Sequence, residues 1–177
     1  DFVDPLDLAA VDRALSAEHT AALVLEPIQG EVGVRPLPAE FLQTVREWTR
    51  EREIALVLDE VQCGLGRAGT LFAHEPSGIR PDILCIAKPL GGGLPMGAVL
   101  MTEDVAGHLQ PGGHGTTFGG GPLVSSVALA VLRVVGEPAF LAEVRAKGEI
   151  LRARLEALAA ARQGRVREVR GRPAGRG

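Results

Sequence analysis

Short apolar runs alternate along the chain with longer segments of mixed polarity. The runs are "AALVLEPI" (21–28), "IALVLDEV" (54–61), "DILCIA" (82–87) and "GAVLMT" (97–102), each bounded by Gly, Pro or charged residues. Runs of this length that are rich in Val, Ile and Leu are typical of strands buried on both faces. The pattern therefore predicts four strands of one sheet.

Residues 38–53, between the first two runs, have helical periodicity. Phe41, Val45 and Trp48 recur at helical spacing, and charged residues, Arg46 among them, occupy the other side. An amphipathic helix between two strands implies a right-handed crossover and a mostly parallel sheet with helices on its faces. Two further helices, each opened by a proline, are predicted over 122–135 and 138–161. The predicted fold class is α/β.

Composition excludes several classes of partner. The net charge of −3 gives no basic excess to neutralise a phosphate backbone, so nucleic acid is not an expected partner. The two cysteines, Cys63 and Cys85, are too few for a disulfide framework and lack the spacing of a zinc site. No run approaches the roughly 18 apolar residues of a membrane span, and no signal peptide is recognisable. We expect a cytoplasmic protein with no membrane partner and no metal site.

Acidic residues stand at the end of the second apolar run. Ligands of open α/β sheets bind at the carboxyl ends of the strands, where Glu26, the segment 59–62 and Lys88 all fall. A carboxylate such as Asp59 or Glu60 at the end of an apolar strand needs a cationic or hydrogen-bonding partner. The alternative is that the acid only caps the following turn.

Lys88 is one of only two lysines, and it lies between an apolar run and "PLGGG". An ammonium held away from water loses pKa and becomes the neutral amine that adds to carbonyl groups. A lysine that extends its charged end into solvent is the alternative. Gly91, Gly92 and Gly93 would let the backbone approach a flat ligand closely.

A third segment, "GGHGTTFGGGP" (112–122), places two threonines in a glycine-rich turn before a helix. Backbone N–H groups and hydroxyls in such a turn suit a phosphate dianion, although a plain glycine-rich linker would have similar composition. An amine for an aldehyde, an acid for a pyridine nitrogen and donors for a phosphate are together the groups that pyridoxal 5′-phosphate requires. The sequence therefore predicts this cofactor.

Four segments in order resemble the signature segments of class III aminotransferases: "EPIQGEVGV", "LDEVQCGLGRAG", "AKPLGGGLPMGA" and "HGTTFGGGPL". The "HGTTFGG" form is most similar to acetylornithine aminotransferases. The spacings 88 − 59 and 117 − 88 are both 29, as in that family. The resemblance implies the large domain of a type I pyridoxal-phosphate-dependent transferase, a mostly parallel sheet flanked by helices in three α/β/α layers, here incomplete.

The resemblance also implies roles for individual residues. Lys88 would hold the cofactor through a Schiff base and then move the proton between substrate and cofactor carbons. Asp59 would keep the pyridine nitrogen protonated, Val61 would pack beneath the ring, and Gln62 would bind the phenolic oxygen. Glu60 belongs to the same cofactor-binding segment.

Three further positions are implied to act in substrate binding or across a dimer interface. The family works as a homodimer with active sites between subunits, so Thr117 would bind the phosphate of the neighbouring subunit's cofactor and Thr116 that subunit's substrate. Glu31 resembles the glutamate that screens a substrate-binding arginine during one half-reaction.

The implied reaction moves the terminal amine of an ω-amino donor, such as N2-acetylornithine, to 2-oxoglutarate, as in arginine biosynthesis. Another class III activity, on ornithine, 4-aminobutyrate or a lysine-pathway amine, is the first alternative. The second is a non-catalytic binding or structural fragment.

Both ends of the sequence indicate a fragment of a longer protein. The chain opens with "DFVDPLDLAA", without Met, and closes with "RPAGRG", which has no apolar periodicity. We predict a partial cofactor-binding large domain over 1–136, a long helix over 137–165 that leads toward a missing small domain, and a disordered or truncated tail over 166–177. A fragment of this kind is not expected to be active alone.

Overall fold

The computed structural model describes residues 2–16, 18–162 and 164–171. Within these residues one four-stranded sheet and one two-stranded ribbon are accompanied by helices. The elements in chain order are α1 (Leu8–Ala14), β1 (Ala22–Leu25), β2 (Ile28–Gln29), β3 (Arg35–Pro36), α2 (Ala39–Glu51), β4 (Ala55–Asp59), a 3₁₀ turn (Glu75–Ser77), β5 (Ile83–Ile86), β6 (Ala98–Met101), α3 (Glu103–Ala106), α4 (Pro122–Val135) and α5 (Pro138–Ala161).

The four predicted strands form the main sheet, in the order β1-β4-β5-β6. Strands β1, β4 and β5 are parallel, and β6 is antiparallel to β5. Helix α2 connects β1 to β4, as the helical pattern over 38–53 predicted. The mostly parallel α/β sheet is therefore confirmed.

One face of the sheet carries the hydrophobic core. The strand register aligns Leu23 with Leu56 and Leu58 with Leu84, so alternate leucines of three strands point to the same side. Helices α1, α2 and α4 pack on this side, because their apolar residues belong to the same buried clusters. The clusters include Val11, Phe41, Val45, Leu56, Leu58, Leu84, Ile86 and Ala128.

The opposite face of the sheet is open within the described residues. Val24 of β1 and Val99 of β6 are 64% and 56% exposed. The prediction that all four strands are buried on both faces is therefore wrong for these two, which lie at the edges of the sheet. On the two central strands, Val57, Ile83 and Cys85 are half-buried on this face.

Arg46 of α2 was predicted on the solvent side of its helix, and this is wrong. Its guanidinium is buried and pairs with both carboxylate oxygens of Asp82, at 2.5 and 3.1 Å. Asp82 also accepts the N–H of Leu56 at 2.8 Å. Burial raises the pKa of Asp82, but these hydrogen bonds outweigh it, so the pKa lies below its usual value. The ion pair thus joins α2 to the beginnings of β4 and β5.

Helix α5 has the bounds 138–161 that the helical pattern predicted, and the longer extent of 137–165 is wrong at its end, because residues 162, 164 and 165 are not helical. No single helix among the described residues is long and apolar enough to cross a membrane, although α4 and α5 reach that length and composition together across a 66° bend. Residues 166–171 of the predicted tail contain neither helix nor strand, and residues 172–177 lie outside the described residues. The division into a large domain and a following helix stays a prediction.

Candidate active site

Three neighbouring parallel strands end at one edge of the sheet, and each is followed by a candidate residue. Leu25 of β1 pairs with Leu58 of β4, so Glu26 and Asp59 come next to each other. Asp59 in turn pairs with Cys85 of β5, and Lys88 follows three residues later. At about 3.3 Å per residue, the Lys88 backbone lies within about 10 Å of that pair. The edge thus brings together two carboxylates and a primary amine.

Asp59 lies on the open face of the sheet, opposite Leu58. It is half-buried, and its Oδ1 accepts the N–H of Val61 at 2.9 Å. Burial and, secondarily, the charge of Asp59 raise the pKa of the adjacent Cys85 thiol. The second carboxylate oxygen forms no side-chain hydrogen bond within the described part of the chain.

Lys88 is exposed, so the expectation of an amine held away from water is wrong for this chain. The turn that follows it is built from glycines, which have no side chains to cover the amine. Gly91 serves this turn directly, because a Cβ atom there would lie 1.9 Å from the carbonyl oxygen of Leu94. Gly92 and Gly93 have φ values of 57° and 107°, which favour glycine.

The prediction that Glu60 contacts the cofactor is contradicted by its position. Strand alternation turns Glu60 to the face that carries Leu56 and Leu58, away from Asp59. Its side chain is fully buried and accepts N–H groups of Ala73 at 2.6 Å and His74 at 2.9 Å. The His74 ring nitrogen Nδ1 lies 2.7 Å from the same carboxylate. This carboxylate therefore serves as a buried hydrogen-bond acceptor within the protein.

Gln62 and Glu31 lie together, a contact that no local sequence pattern predicts. Gln62 Nε2 donates to Glu31 Oε1 at 2.6 Å. Gly30 makes room for this pair, because a Cβ atom at that position would lie 2.1 Å from Gln62 Oε1. The N–H of Gly30 donates to Glu26 Oε2 at 3.2 Å, which ties this loop to the end of β1. Val61, between Asp59 and Gln62, is half-buried.

The threonine loop lies apart from these residues. Residues 106–120 are all exposed, and Phe118 is 88% exposed. Thr116 Oγ1 accepts the N–H of Gly119 at 3.1 Å. No hydrogen bond or ion pair in the described ranges joins Thr116 or Thr117 to Asp59 or Lys88. The structure thus joins Asp59 to Val61 and Glu31 to Gln62 by hydrogen bonds, and Lys88 lies three residues beyond Cys85, the strand partner of Asp59.

The chain matches the family described as "Aminotransferase class-III" over residues 6–176. The chain belongs to the class III aminotransferases. It is 50% identical over 165 residues to the acetylornithine aminotransferase of Rhodobacter capsulatus. The matched region covers 93% of this chain and 42% of that protein. The chain therefore spans about two fifths of the length of the curated relatives it matches.

Solved structures of the same family superpose closely. The N-acetylornithine aminotransferase of Stenotrophomonas maltophilia has a TM-score of 0.86 at 39% identity, over 98% of this chain and 44% of that one. The ornithine aminotransferase of Toxoplasma gondii has a TM-score of 0.91 at 36% identity, over 98% of this chain and 41% of that one. That second protein holds PLP at partial occupancy in its active site.

Two residues of this class III chain escaped the sequence-based prediction. His74 was missed, although the alternation Leu56, Leu58, Glu60 places a carboxylate in the core and so demands a nearby donor. Gly30 was missed because the need for a glycine depends on a side chain 32 positions away, which no local pattern reveals.

A cleft of about 410 Å³ opens beside the site, between the loop that follows β4 and helix α5. Gln62 and Gly30 line it together with Arg67, Arg145 and Arg152, whereas Asp59 and Lys88 do not. Arg145 donates to the carbonyl of Gly69, so helix α5 is fastened to this loop. The cleft adjoins the predicted cofactor residues without containing the amine.

Proposed function

We propose that the complete gene product that includes residues 1–177 is a pyridoxal-phosphate-dependent aminotransferase. It transfers the terminal amino group of an ω-amino donor, N2-acetylornithine, to 2-oxoglutarate in arginine biosynthesis. The observation that carries the proposal is that Asp59 ends β4 and Lys88 follows the adjacent parallel strand β5 at the same edge of the sheet. Support for the donor comes from relatives named acetylornithine aminotransferase that are 44% to 50% identical to this chain.

The residues at the strand ends fit pyridoxal phosphate chemically. The family membership implies this cofactor, and the exposed amine of Lys88 is free to condense with an aldehyde. The Asp59 carboxylate lies on the open face of the sheet with one oxygen unused by side-chain hydrogen bonds of the described residues. When bound, the cofactor supplies an aldehyde that condenses with amines and a ring that withdraws electrons from the substrate carbon.

Each of this chain's residues then has a defined task. Asp59 would hold the proton on the ring nitrogen, as a carboxylate stabilises an adjacent cation. Gln62 would donate from Nε2 to the phenolic oxygen, and Val61 would support the ring from below. Lys88 would bind the aldehyde carbon and afterwards carry a proton as a general base and acid.

We also propose a homodimer in which the exposed loop completes the neighbouring site. Thr117 would donate its hydroxyl to the phosphate of the partner's cofactor, and Thr116 would contact the partner's substrate. The support is that the loop is exposed throughout 106–120 and that no hydrogen bond or ion pair among the described residues joins its threonines to Asp59 or Lys88. Glu31 would screen a substrate-binding arginine, and a cytoplasmic location would suit this metabolic role.

An ornithine aminotransferase is the second candidate. The TM-score of 0.91 to the Toxoplasma gondii ornithine aminotransferase favours it. The two candidates differ in the donor, since acetylornithine carries a blocked α-amino group and ornithine a free one. A steady-state comparison of kcat/KM for acetylornithine, ornithine and 4-aminobutyrate, with 2-oxoglutarate as acceptor, separates them.

The cofactor assignment is tested by borohydride reduction of the complete gene product loaded with pyridoxal phosphate. We expect the reduced, fluorescent label on the peptide that contains Lys88 and none on the peptide that contains Lys147. Lys147 is the matched control because it is exposed and pairs with Glu143 at 3.3 Å on α5. Label on Lys147 alone, or a protein that binds no cofactor, would overturn the proposal.

A further inference from the structure

A second carboxylate stands directly behind the candidate cofactor site. Glu60 follows Asp59 in the chain but continues the buried series Leu56, Leu58 on the other face of the sheet. Its side chain is 0% exposed and meets three donors, the N–H groups of Ala73 and His74 and the His74 ring. Because two backbone N–H groups can only donate, the carboxylate accepts, and His74 Nδ1–H is the third donor.

The same residue is fixed through its backbone. The N–H of Glu60 donates to the carbonyl of Cys85 on β5 at 2.9 Å, and its carbonyl accepts the N–H of Gly64 at 2.9 Å. Gly64 has no room for a side chain, since a Cβ atom would lie 2.8 Å from that carbonyl. Backbone and side chain together hold the turn over residues 60–64, which begins next to Asp59 and carries Gln62.

His74 is itself held in place. Its ring is stacked on Phe72 with centroids 5.9 Å apart and an interplanar angle of 13°. Its carbonyl accepts the hydroxyl of Ser77 at 2.6 Å. The ring is buried, so its orientation toward Glu60 is set by packing and not by solvent.

The Glu60 carboxylate is the acceptor of two buried backbone donors. An apolar side chain at position 60 would continue the leucine series without desolvating a charge, but it would remove the acceptor of the Ala73 and His74 N–H groups. The backbone bond to Cys85 would remain, so the side chain of Glu60 is what fixes the turn against the segment 73–74. The turn so fixed is the one that presents Asp59 and Gln62.

We propose that Glu60 and His74 form a positioning pair that orients Asp59 and Gln62 toward the cofactor. The inference rests on the proposed function for its ligand, but the orientation itself is a property of this chain. Glu60 and His74 act through the turn and touch neither cofactor nor substrate.

The test uses three variants of the complete gene product. His74→Phe keeps the stacked ring and loses the Nδ1 donor, His74→Asn keeps a donor near that place, and Glu60→Leu with His74→Phe replaces the pair by apolar groups. We expect about tenfold weaker pyridoxal phosphate binding in His74→Phe and in the double variant, and near-normal binding in His74→Asn. We expect the thermal midpoint of the cofactor-free double variant to stay below the wild-type value, because the Ala73 and His74 N–H groups lose the carboxylate that accepts them.

Hydrogen exchange provides a readout that needs no cofactor. In the cofactor-free protein the amides of Val61 and Gly64, which bond to Asp59 Oδ1 and the Glu60 carbonyl, should lose about tenfold protection in both Phe-containing variants. Unchanged protection in both variants overturns the inference. So does near-normal cofactor affinity in the double variant. Reduced protection in a protein that binds no pyridoxal phosphate would refute the proposed function and leave the positioning pair standing.

Discussion

Two regions of the molecule place their polar side chains in opposite environments. One is the segment over residues 59–74, which includes the turn over 60–64, and the other is the threonine loop over residues 106–120. In the turn, Glu60 is 1% exposed and its carboxylate is bonded to donors of the same chain. In the loop every residue is exposed. Within the described residues, the hydroxyl of Thr116 accepts the N–H of Gly119, which belongs to the same loop. The turn is therefore complete within the chain, whereas the loop offers its groups outward.

This difference indicates which contacts would position each part of the proposed site. The turn and the strand ends present Asp59, Gln62 and Lys88 through contacts that the chain makes with itself. The threonine loop would gain its partners only by association, which agrees with the proposed homodimer. Substitutions in the turn and at the strand ends should therefore change turnover or stability. Substitutions in the threonine loop should instead change how tightly the cofactor is held at the subunit interface.

The largest expected effect follows removal of the amine at the strand edge. Lys88→Ala should abolish transamination by the complete gene product, because it removes the amine at the strand edge that would condense with the aldehyde. The measurement is glutamate formation from 2-oxoglutarate, with Lys147→Ala as the matched control. Near-normal turnover in Lys88→Ala would show that the strand edge is not the site.

Asp59→Asn should lower kcat/KM by about 10²- to 10⁴-fold, the range typical of a lost proton-transfer or charge-stabilising group. The amide retains the shape of the side chain but cannot hold a proton on the ring nitrogen. Asp104→Asn, on the exposed helix α3, is the control and should leave the rate unchanged. A rate reduced less than tenfold would argue that Asp59 only caps its turn through the Val61 N–H.

The turn can also be probed through its cysteine. Burial and, secondarily, the charge of Glu60 raise the pKa of the Cys63 thiol from 9.0 to about 12. At a given pH below 9 its thiolate fraction is about 1,000-fold smaller than that of an ordinary thiol. Alkylation of the native protein, followed by peptide mass spectrometry, should modify the half-buried Cys85 well before Cys63. Equal rates in the native protein, as expected only after denaturation, would mean that the turn is open.

The ion pair between Arg46 of α2 and Asp82, just before β5, stabilises the folded chain. Arg46→Met should lower the free energy of unfolding by about 3 kcal/mol at neutral pH, because Asp82 is left without its cationic partner. Since the pKa of Asp82 is lowered in the folded state, its stabilisation is present above the usual value of 3.8 and is lost as pH falls below it. The difference between wild type and variant in urea unfolding should therefore shrink at acidic pH. Arg50→Met, an exposed position on the same helix, should change stability by less than about 0.5 kcal/mol.

The smallest expected effects follow two threonine substitutions, one in each region. Thr117→Ala should weaken pyridoxal phosphate binding about tenfold through loss of one hydroxyl donor to a charged phosphate, with the thermal midpoint unchanged. Thr70→Ala removes the hydroxyl that donates to the Phe72 carbonyl at 2.7 Å, and should cost about 1 kcal/mol of stability with cofactor affinity unchanged. A Thr117 variant that loses stability but retains the cofactor would remove the distinction between the two regions.

Local pattern was sufficient to predict the four strands of the main sheet, the helices over 38–53, 122–135 and 138–161, and the residues at the strand ends, but not the short ribbon of β2 and β3. Apolar runs and helical periodicity depend on neighbours within a few positions, so they can be recognised before the chain is folded. The family resemblance likewise rests on ordered short segments, and the match over residues 6–176 confirms it.

Only the tertiary structure decided which side each polar group faces and what it meets there. Asp59 and Glu60 are adjacent acids of similar chemistry, yet strand alternation sends one to the open face and the other into the core beside His74. Arg46 similarly leaves the solvent because Asp82, 36 positions away, lies beneath its helix. Such partners are distant in sequence, and their contact depends on the register of strands and the packing of helices, which a local pattern does not contain.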